Sequence, residues 1–242
     1  MLRRSLRAEL MKCRRSPVWI VFLVLPVFPA FLGTFNYLNN LDVLESQWYS
    51  LWSQHVLFSS VFFMPAQFGV FCAWQWRLEH TGGNWNAAMT APVPVRDLYL
   101  AKLILDVGVS ALAQLCIGAL FLLSGLLAGL RTPVPGELAG WLLAGTLGGV
   151  VVCAVQLYLS LILRTFAVPV AIGLVGGIFG MLITSQGWAV GFPYSLLCLG
   201  MRANDPQMEL PMPDFLLGCA FYLLLVSLLT VTALRRRDVS TG

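Results

Sequence analysis

The sequence predicts an all-α integral membrane protein with six transmembrane helices. The 242-residue chain is 58% hydrophobic and only 11% of its residues are charged. A soluble domain usually carries about 25% charged residues. The mean hydropathy is +0.80. The apolar residues fall into six runs, each long enough to supply the about 20 residues that a helix needs to cross a bilayer.

The first sixteen residues are basic and carry a helical pattern. Leu2, Leu6 and Leu10 recur at the spacing of one helix face, and Glu9 is the single acid. This predicts a cytoplasmic amphipathic helix over residues 1–16 that lies on an anionic inner leaflet. A basic tail that only orients the first span explains the same residues equally well. The basic residues are Arg3, Arg4, Arg7, Lys12, Arg14 and Arg15.

The rest of the chain, residues 17–242, is predicted to form a single six-span transmembrane domain. Its third and fourth spans are the longest and are expected to tilt or to protrude from the bilayer. A weaker apolar stretch at 191–201, within the outer segment 187–213, is too short to span. It predicts a re-entrant or interfacial helix that begins at Pro193. The spans are predicted near residues 17–38, 55–76, 104–130, 138–163, 167–186 and 214–234.

The basic residues also predict the orientation, because Lys and Arg collect in cytoplasmic segments. With the N-terminus inside, every Lys and Arg except Arg131 and Arg202 lies on the inner side. Both chain ends and the loop at 77–103 are therefore predicted to be cytoplasmic, in a protein of the cell (inner) membrane. The acids of the outer segments agree with this orientation; they are Asp42, Glu45, Glu137, Asp205, Glu209 and Asp214.

The polar loop at 77–103 contains the signals of a short helix. A Gly-Gly pair at 82–83 interrupts any helix that continues from the second span. Asn84 is expected to cap a helix over residues 85–91 by accepting a hydrogen bond from its free backbone N–H groups. Pro92 then stops this helix, because proline disfavours the helical region for the residue before it.

The short helix carries one apolar face. Trp85, Ala88 and Met89 share this face because they are spaced i, i+3 and i+4. Such a face on a helix about 10 Å long suits an element that docks a partner protein. The alternative is a helix that lies in the headgroups with its tryptophan at the membrane interface.

Small residues cluster on the fifth predicted span. Gly173, Gly176, Gly177 and Gly180 form two overlapping GxxxG patterns, which allow helix backbones to approach closely in lipid. The fourth span has small residues at similar spacing over 144–149. Such faces serve either packing within one subunit or an interface between subunits, and the sequence leaves both uses open.

The cysteines show no metal-binding or disulfide pattern. No CxxC spacing occurs, and no histidine lies at ligand spacing. Cysteines in apolar runs behave as small hydrophobic residues. The sequence therefore predicts neither a disulfide framework nor a zinc site among Cys13, Cys72, Cys116, Cys153, Cys198 and Cys219.

No catalytic pattern is present, and the chain is predicted not to be an enzyme. Asp106 is the only acid within a predicted span, and we expect it to pair with Lys102 one turn earlier. His55 and His80 are predicted on opposite sides of the membrane, so they cannot act together. No GxxxxGK[ST] P-loop occurs. We therefore expect no cofactor in this chain, and energy for active transport would have to come from another protein.

The loop residues resemble a known family. An acid, a short helix, a Pro-Val-Arg turn and a lysine that enters the third span resemble the first cytoplasmic loop of type-2 ABC exporter permeases. The segment AELMKCRRS at 8–16 is similar to their N-terminal amphipathic helix, and FPYS at 192–195, with the loop tryptophan, favours the lantibiotic-immunity branch. The loop residues of this resemblance are Glu79, Gly83, Trp85, Pro92, Val93, Arg96 and Lys102.

The resemblance implies a permease subunit that is powered by a separate cytoplasmic P-loop ATPase, which binds the ATP and Mg²⁺. It implies a second permease copy or paralogue, and an amphipathic peptide antibiotic or lipid-like substrate that is moved out of the membrane. Membrane lipid is an expected contact, whereas nucleic acid is not. The expected ATPase-coupling residues are Glu79, Asn84, Trp85, Ala88, Met89, Arg96 and Lys102.

The resemblance also suggests roles for individual residues. Trp85 and Met89 are expected to insert into a groove of the ATPase, with Glu79 and Arg96 as charges at its rim. Antibiotic resistance, as lantibiotic immunity, is the specific role expected. The alternative is a non-transporting assembly or sensing subunit that anchors a cytoplasmic partner.

Overall fold

The computed structural model describes residues 1–14, 16–81, 84–90, 93–163 and 165–236, and all regular structure in these ranges is helical. A π-helical turn at Ser59–Phe63 joins the helices Trp48–Phe58 and Met64–His80, and a 3-10 turn at Ala189–Gly191 precedes the helix Ser195–Gly200. The predicted breaks at 82–83 and Pro92 lie outside the described residues. The helices are α1 Leu2–Cys13, α2 Val18–Val24, α3 Val27–Asn39, α4 Trp48–Phe58, α5 Met64–His80, α6 Asn84–Thr90, α7 Val95–Leu127, α8 Leu138–Ile162, α9 Ala167–Ser185, α10 Ser195–Gly200 and α11 Met212–Arg235.

The prediction of six spans is confirmed. Six helical segments of the described chain are long and apolar enough to cross a membrane. The second and third begin earlier than predicted, and it is these two, not the third and fourth, that are longest, with 33 residues each. At 1.5 Å per residue they extend about 50 Å, well beyond a hydrocarbon core of about 30 Å. The six are Val18–Asn39, Trp48–His80, Val95–Leu127, Leu138–Ile162, Ala167–Ser185 and Met212–Arg235.

Prolines shape the first two spans. Span 1 is divided into α2 and α3 at Pro26, which lacks the N–H that would continue the helical ladder. Span 2 contains the π-helical turn at Ser59–Phe63, which ends two residues before Pro65. Proline has no backbone N–H to donate, and a wider turn is a common way for a helix to accommodate the missing backbone hydrogen bond. Both spans continue across their proline, so each still crosses the bundle.

Helix α8 lies at the centre of the bundle, in contact with α5, α7, α10 and α11. The short helix α10 packs against α8 and α9, and all six of its residues are buried. It lies within the segment that was predicted to be re-entrant, although it begins at Ser195 rather than at Pro193. The 3-10 turn and α10 therefore bring the chain back into the bundle before the last span.

The glycines of span 5 pack against their own chain. Gly173 lies against the carbonyl of Pro65, and Gly176 lies against the ring of Tyr194. Gly180 lies against the backbone of Tyr194. Of the two uses that the sequence left open, the glycine face of α9 therefore serves packing within the subunit.

Gly177 makes the closest approach on this face, and replacing it should be destabilising. A Cβ at Gly177 would lie 2.2 Å from the backbone oxygen of Val61, which cannot move without shifting the π-helical turn. We expect Gly177→Ala to cost about 1–3 kcal/mol, the usual effect of overpacking. Gly108→Ala, where a Cβ meets nothing within 4 Å, is the matched control. Thermal denaturation of both purified variants checks this, and equal melting temperatures would contradict it.

The predicted orientation has its own test at two exposed positions. Glu45 lies between spans 1 and 2, and Thr90 ends helix α6. With both chain ends cytoplasmic, Glu45→Cys should react with a membrane-impermeant maleimide in intact cells, whereas Thr90→Cys should react only after permeabilisation. Labelling of position 90 in intact cells would show that the orientation is the opposite of the predicted one.

Candidate functional site

Four charged side chains meet where α1 packs against the bundle. Glu9 and Lys12 lie on α1, Glu79 lies in the last turn of α5, and Lys102 lies on α7. We call these four residues the charge cluster. Lys102 is fully buried, and Glu9 and Glu79 are 3% and 5% exposed. Buried charges are costly unless they are paired, so this arrangement is a specific feature of the fold.

Lys102 is the centre of the charge cluster. Its Nζ lies 3.1 Å from Glu9 Oε2 and 3.1 Å from Glu79 Oε1. The same ammonium donates to the backbone carbonyl of Gln75 at 3.3 Å and lies 5.0 Å from the ring centre of Trp76. A lysine ammonium has three N–H donors, and here each of them has an acceptor.

Lys12 completes the charge cluster from the exposed side. Its Nζ lies 2.8 Å from Glu9 Oε1 and also bonds Glu79. Burial alone would lower the pKa of Lys12, but the hydrogen bonds to Glu79 and Glu9 outweigh burial and raise that pKa above its ordinary value. Lys12 therefore stays charged at neutral pH, and two cations balance two carboxylates.

A second polar group continues from the charge cluster into the bundle. The side-chain amide of Gln75, whose backbone carbonyl binds Lys102, donates to Oδ1 of the fully buried Asp106. Cys72 Sγ lies 3.8 Å from Oδ2 of the same carboxylate. The predicted pairing of Asp106 with Lys102 is wrong, because the lysine is occupied by Glu9 and Glu79 instead.

Helix α6 is held against the end of span 2. Trp85 is only 8% exposed, and its indole stacks on the ring of His80 with centroids 5.0 Å apart and planes 5° from parallel. Asn84 lies within the helix rather than before it, and its side-chain amide donates to the carbonyl of Leu78 at 2.9 Å. Asn84 thus ties α6 to α5, and its predicted capping role stays a prediction because residues 82–83 lie outside the described residues.

The apolar face of α6 turns toward its own chain. Met89 is half-buried and packs against the main hydrophobic core, as Trp85 does. A seven-residue helix cannot stand free in water, so its apolar face must be covered. Trp85 is therefore buried against its own chain, and the predicted insertion of Trp85 and Met89 into a groove of the ATPase stays a prediction. The contacts predicted for the Ala88 side chain lie outside the described residues, and the exposed residues at the two ends of α6 are Asn84 and Thr90.

The remaining predicted coupling residues divide into two groups. Glu79 and Lys102 are buried in the charge cluster, so Glu79 is not the exposed rim charge that the sequence predicted. Arg96 is exposed in the first turn of α7.

A cavity of about 360 Å³ lies beside Trp85, between α6 and the end of α8.

The comparison with known families decides the identity. The family model described as "ABC-2 family transporter protein" matches residues 5–180, which include the charge cluster and α6. The chain belongs to the ABC-2 transporter family. None of the curated proteins compared with it matches. Family membership makes the chain the membrane permease of an ABC transporter, and it implies an ATPase partner.

Sequence reasoning missed two residues of this permease's charge cluster. Glu9 and Lys12 were interpreted only as part of a basic amphipathic segment. One signal was available: Glu9 is the single acid in that segment. Its partner Lys102 is 93 positions away in the sequence, so only the fold shows why the acid is there.

Proposed function

We propose that this permease moves an amphipathic peptide or lipid-like substrate out of the membrane, powered by a cytoplasmic P-loop ATPase that docks at α6. The charge cluster is the observation that carries this proposal. It joins α1, α5 and α7 at the end of the bundle where α6 lies. The ATPase itself would hold the ATP and Mg²⁺.

The charge cluster gives a physical route from the ATPase to the spans. Helix α6 is fixed to the end of span 2 through Trp85 and His80, and Glu79 lies in the same last turn. Glu79 bonds Lys102 on span 3 and Lys12 on α1. A displacement of α6 would therefore be passed to two spans and to α1 together.

The working unit that we propose contains two permease subunits, either two copies of this chain or this chain and a paralogue. One six-span bundle offers little room for a substrate path, and a path between two bundles would open to the bilayer. The glycine faces of α8 and α9 pack within the subunit, so the interface would use other surfaces.

We infer a specific role in self-protection against a peptide antibiotic such as a lantibiotic. The residues FPYS at 192–195 support this branch of the family, and Tyr194 is buried between α8 and α9, where it accepts a hydrogen bond from Gln156. The substrate would be taken from the membrane, where an amphipathic peptide collects.

The deciding experiment is a sensitivity test. Cells with and without the gene cluster are exposed to a panel of lantibiotics, and the strain that carries a Walker-A lysine variant of the neighbouring ATPase is the control. We expect protection that requires both the permease and an active ATPase. A permease that co-purifies with a cytoplasmic protein but protects equally well with the inactive ATPase would instead be an assembly or sensing subunit.

A further inference from the structure

A buried cluster of metal-ligating side chains lies next to the charge cluster. Cys72 on α5, Asp106 on α7 and Cys153 on α8 each offer a ligand atom, and these atoms lie within 4.8 Å of one another. All three residues are fully buried. No short sequence motif joins them, because they come from three different spans.

The spacing is close to that of a tetrahedral zinc site. Zn–S bonds of about 2.3 Å and Zn–O bonds of about 2.0 Å place neighbouring ligand atoms about 3.5–3.8 Å apart. Cys72 Sγ already lies 3.8 Å from Asp106 Oδ2. A metal ion would therefore need a contraction of at most about 1 Å among the three groups, which is within the reach of side-chain torsions.

Asp106 forms no salt bridge with any residue that the structure describes. The charge cluster pairs its two lysines with Glu9 and Glu79 instead. Zn²⁺ held by two thiolates and one carboxylate has a net charge of −1, the same as the ionised carboxylate alone, so binding the ion with loss of two protons adds no buried charge to this membrane span. The amide of Gln75 donates to Asp106 through Nε2, while its Oε1 is buried without a hydrogen-bond partner among the residues that the structure describes. Because Nε2 of this amide bonds the Asp106 carboxylate, the same side chain lies beside one of the three ligands, and its oxygen is our candidate for the fourth position.

We propose that Cys72, Asp106 and Cys153 bind one Zn²⁺ ion, with the Gln75 side-chain oxygen in the fourth position. The two thiols lose their protons to solvent as the ion binds, so two Zn–thiolate bonds replace two S–H bonds. The ion would join spans 2, 3 and 4 directly below the charge cluster. With four protein ligands the site is closed and structural, and it leaves no position for a substrate.

Metal content of the purified full chain tests this proposal. The protein is made in zinc-supplemented cells without a histidine tag, and its zinc is counted by mass spectrometry. We expect about one Zn²⁺ per chain, and at least about tenfold less in Cys72→Ser and in Cys153→Ser, because loss of a thiolate ligand removes most of the affinity. Cys219→Ser, a buried cysteine on α11, is the matched control and should keep its zinc.

A second measurement on the wild-type chain does not depend on the variants folding. Cobalt added to the chelator-treated protein should give a thiolate-to-Co²⁺ charge-transfer band that zinc abolishes. Wild-type protein with less than about 0.1 Zn²⁺ per chain and without this band overturns the proposal. A disulfide between Cys72 and Cys153 in the purified protein would overturn it equally.

Discussion

Replacing Lys102 by methionine is expected to lower the stability of the permease by about 3–5 kcal/mol. Lys102 is fully buried and its ammonium bonds both Glu9 and Glu79. Methionine fills a similar volume but leaves two buried carboxylates that share only Lys12. Thermal denaturation in detergent should show a melting temperature lower by roughly 10 °C.

A double variant separates charge imbalance from lost packing. Glu79→Gln added to Lys102→Met leaves Glu9 and Lys12 as one balanced pair. Replacing both members of a buried ion pair is often close to neutral, whereas removing one member is costly. The double variant should therefore melt at a higher temperature than Lys102→Met alone.

Lys12→Met is the matched control for this series. Lys12 also bonds Glu9 and Glu79, but its side chain is 32% exposed. Solvent screens such a charge, and exposed pairs contribute at most about 1 kcal/mol. We expect a much smaller shift in melting temperature than for Lys102→Met. If the loss of stability in the double variant equals the sum of the losses in Lys102→Met and in Glu79→Gln, the charges of the cluster are not energetically coupled.

The six spans could be predicted from the sequence because the hydropathy of a span depends only on its own residues. The runs of apolar residues located all six spans, since each span must cover about 30 Å of hydrocarbon whatever its neighbours are. The starts of spans 2 and 3 were missed because residues 48–54 and 95–103 are helical but less apolar. Several residues of these extensions are buried within the protein, among them Trp52, Tyr99 and Lys102, so they are not selected for the hydropathy of a lipid-facing helix.

The candidate site was harder to predict because its contacts are not local. The loop signals between Glu79 and Lys102 correctly indicated a short helix, but its apolar face could have covered either a partner or the chain itself. The choice depends on His80 and the adjoining core, which the spacing of Trp85 does not reveal. The pairing of Asp106 with Lys102 was predicted from helical spacing alone. In the fold, Asp106 instead contacts Gln75 and Cys72 on α5.

The second large effect concerns Trp85, and it rests on the proposed docking of an ATPase at α6. Trp85→Ala removes the indole that stacks on His80, and truncating a buried tryptophan commonly costs about 3–5 kcal/mol. A seven-residue helix depends on tertiary packing for its stability, so α6 should lose its fixed position when this packing is removed. We expect ATPase co-purification and transport to fall at least about tenfold, while the spans remain inserted. Trp85→Phe keeps a stacking ring and should retain most of both.

Photo-crosslinking distinguishes an anchor within the permease from a residue that inserts into the ATPase. A photo-reactive phenylalanine is placed at position 84, 85 or 90 of the full complex, one at a time, and crosslinks to the ATPase are counted. Asn84 and Thr90 are exposed at the two ends of α6, whereas Trp85 is 8% exposed. Positions 84 and 90 should therefore crosslink to the ATPase, and position 85 should crosslink within the permease. If position 85 gives the strongest crosslink to the ATPase, Trp85 leaves His80 on docking and acts as a direct interface anchor.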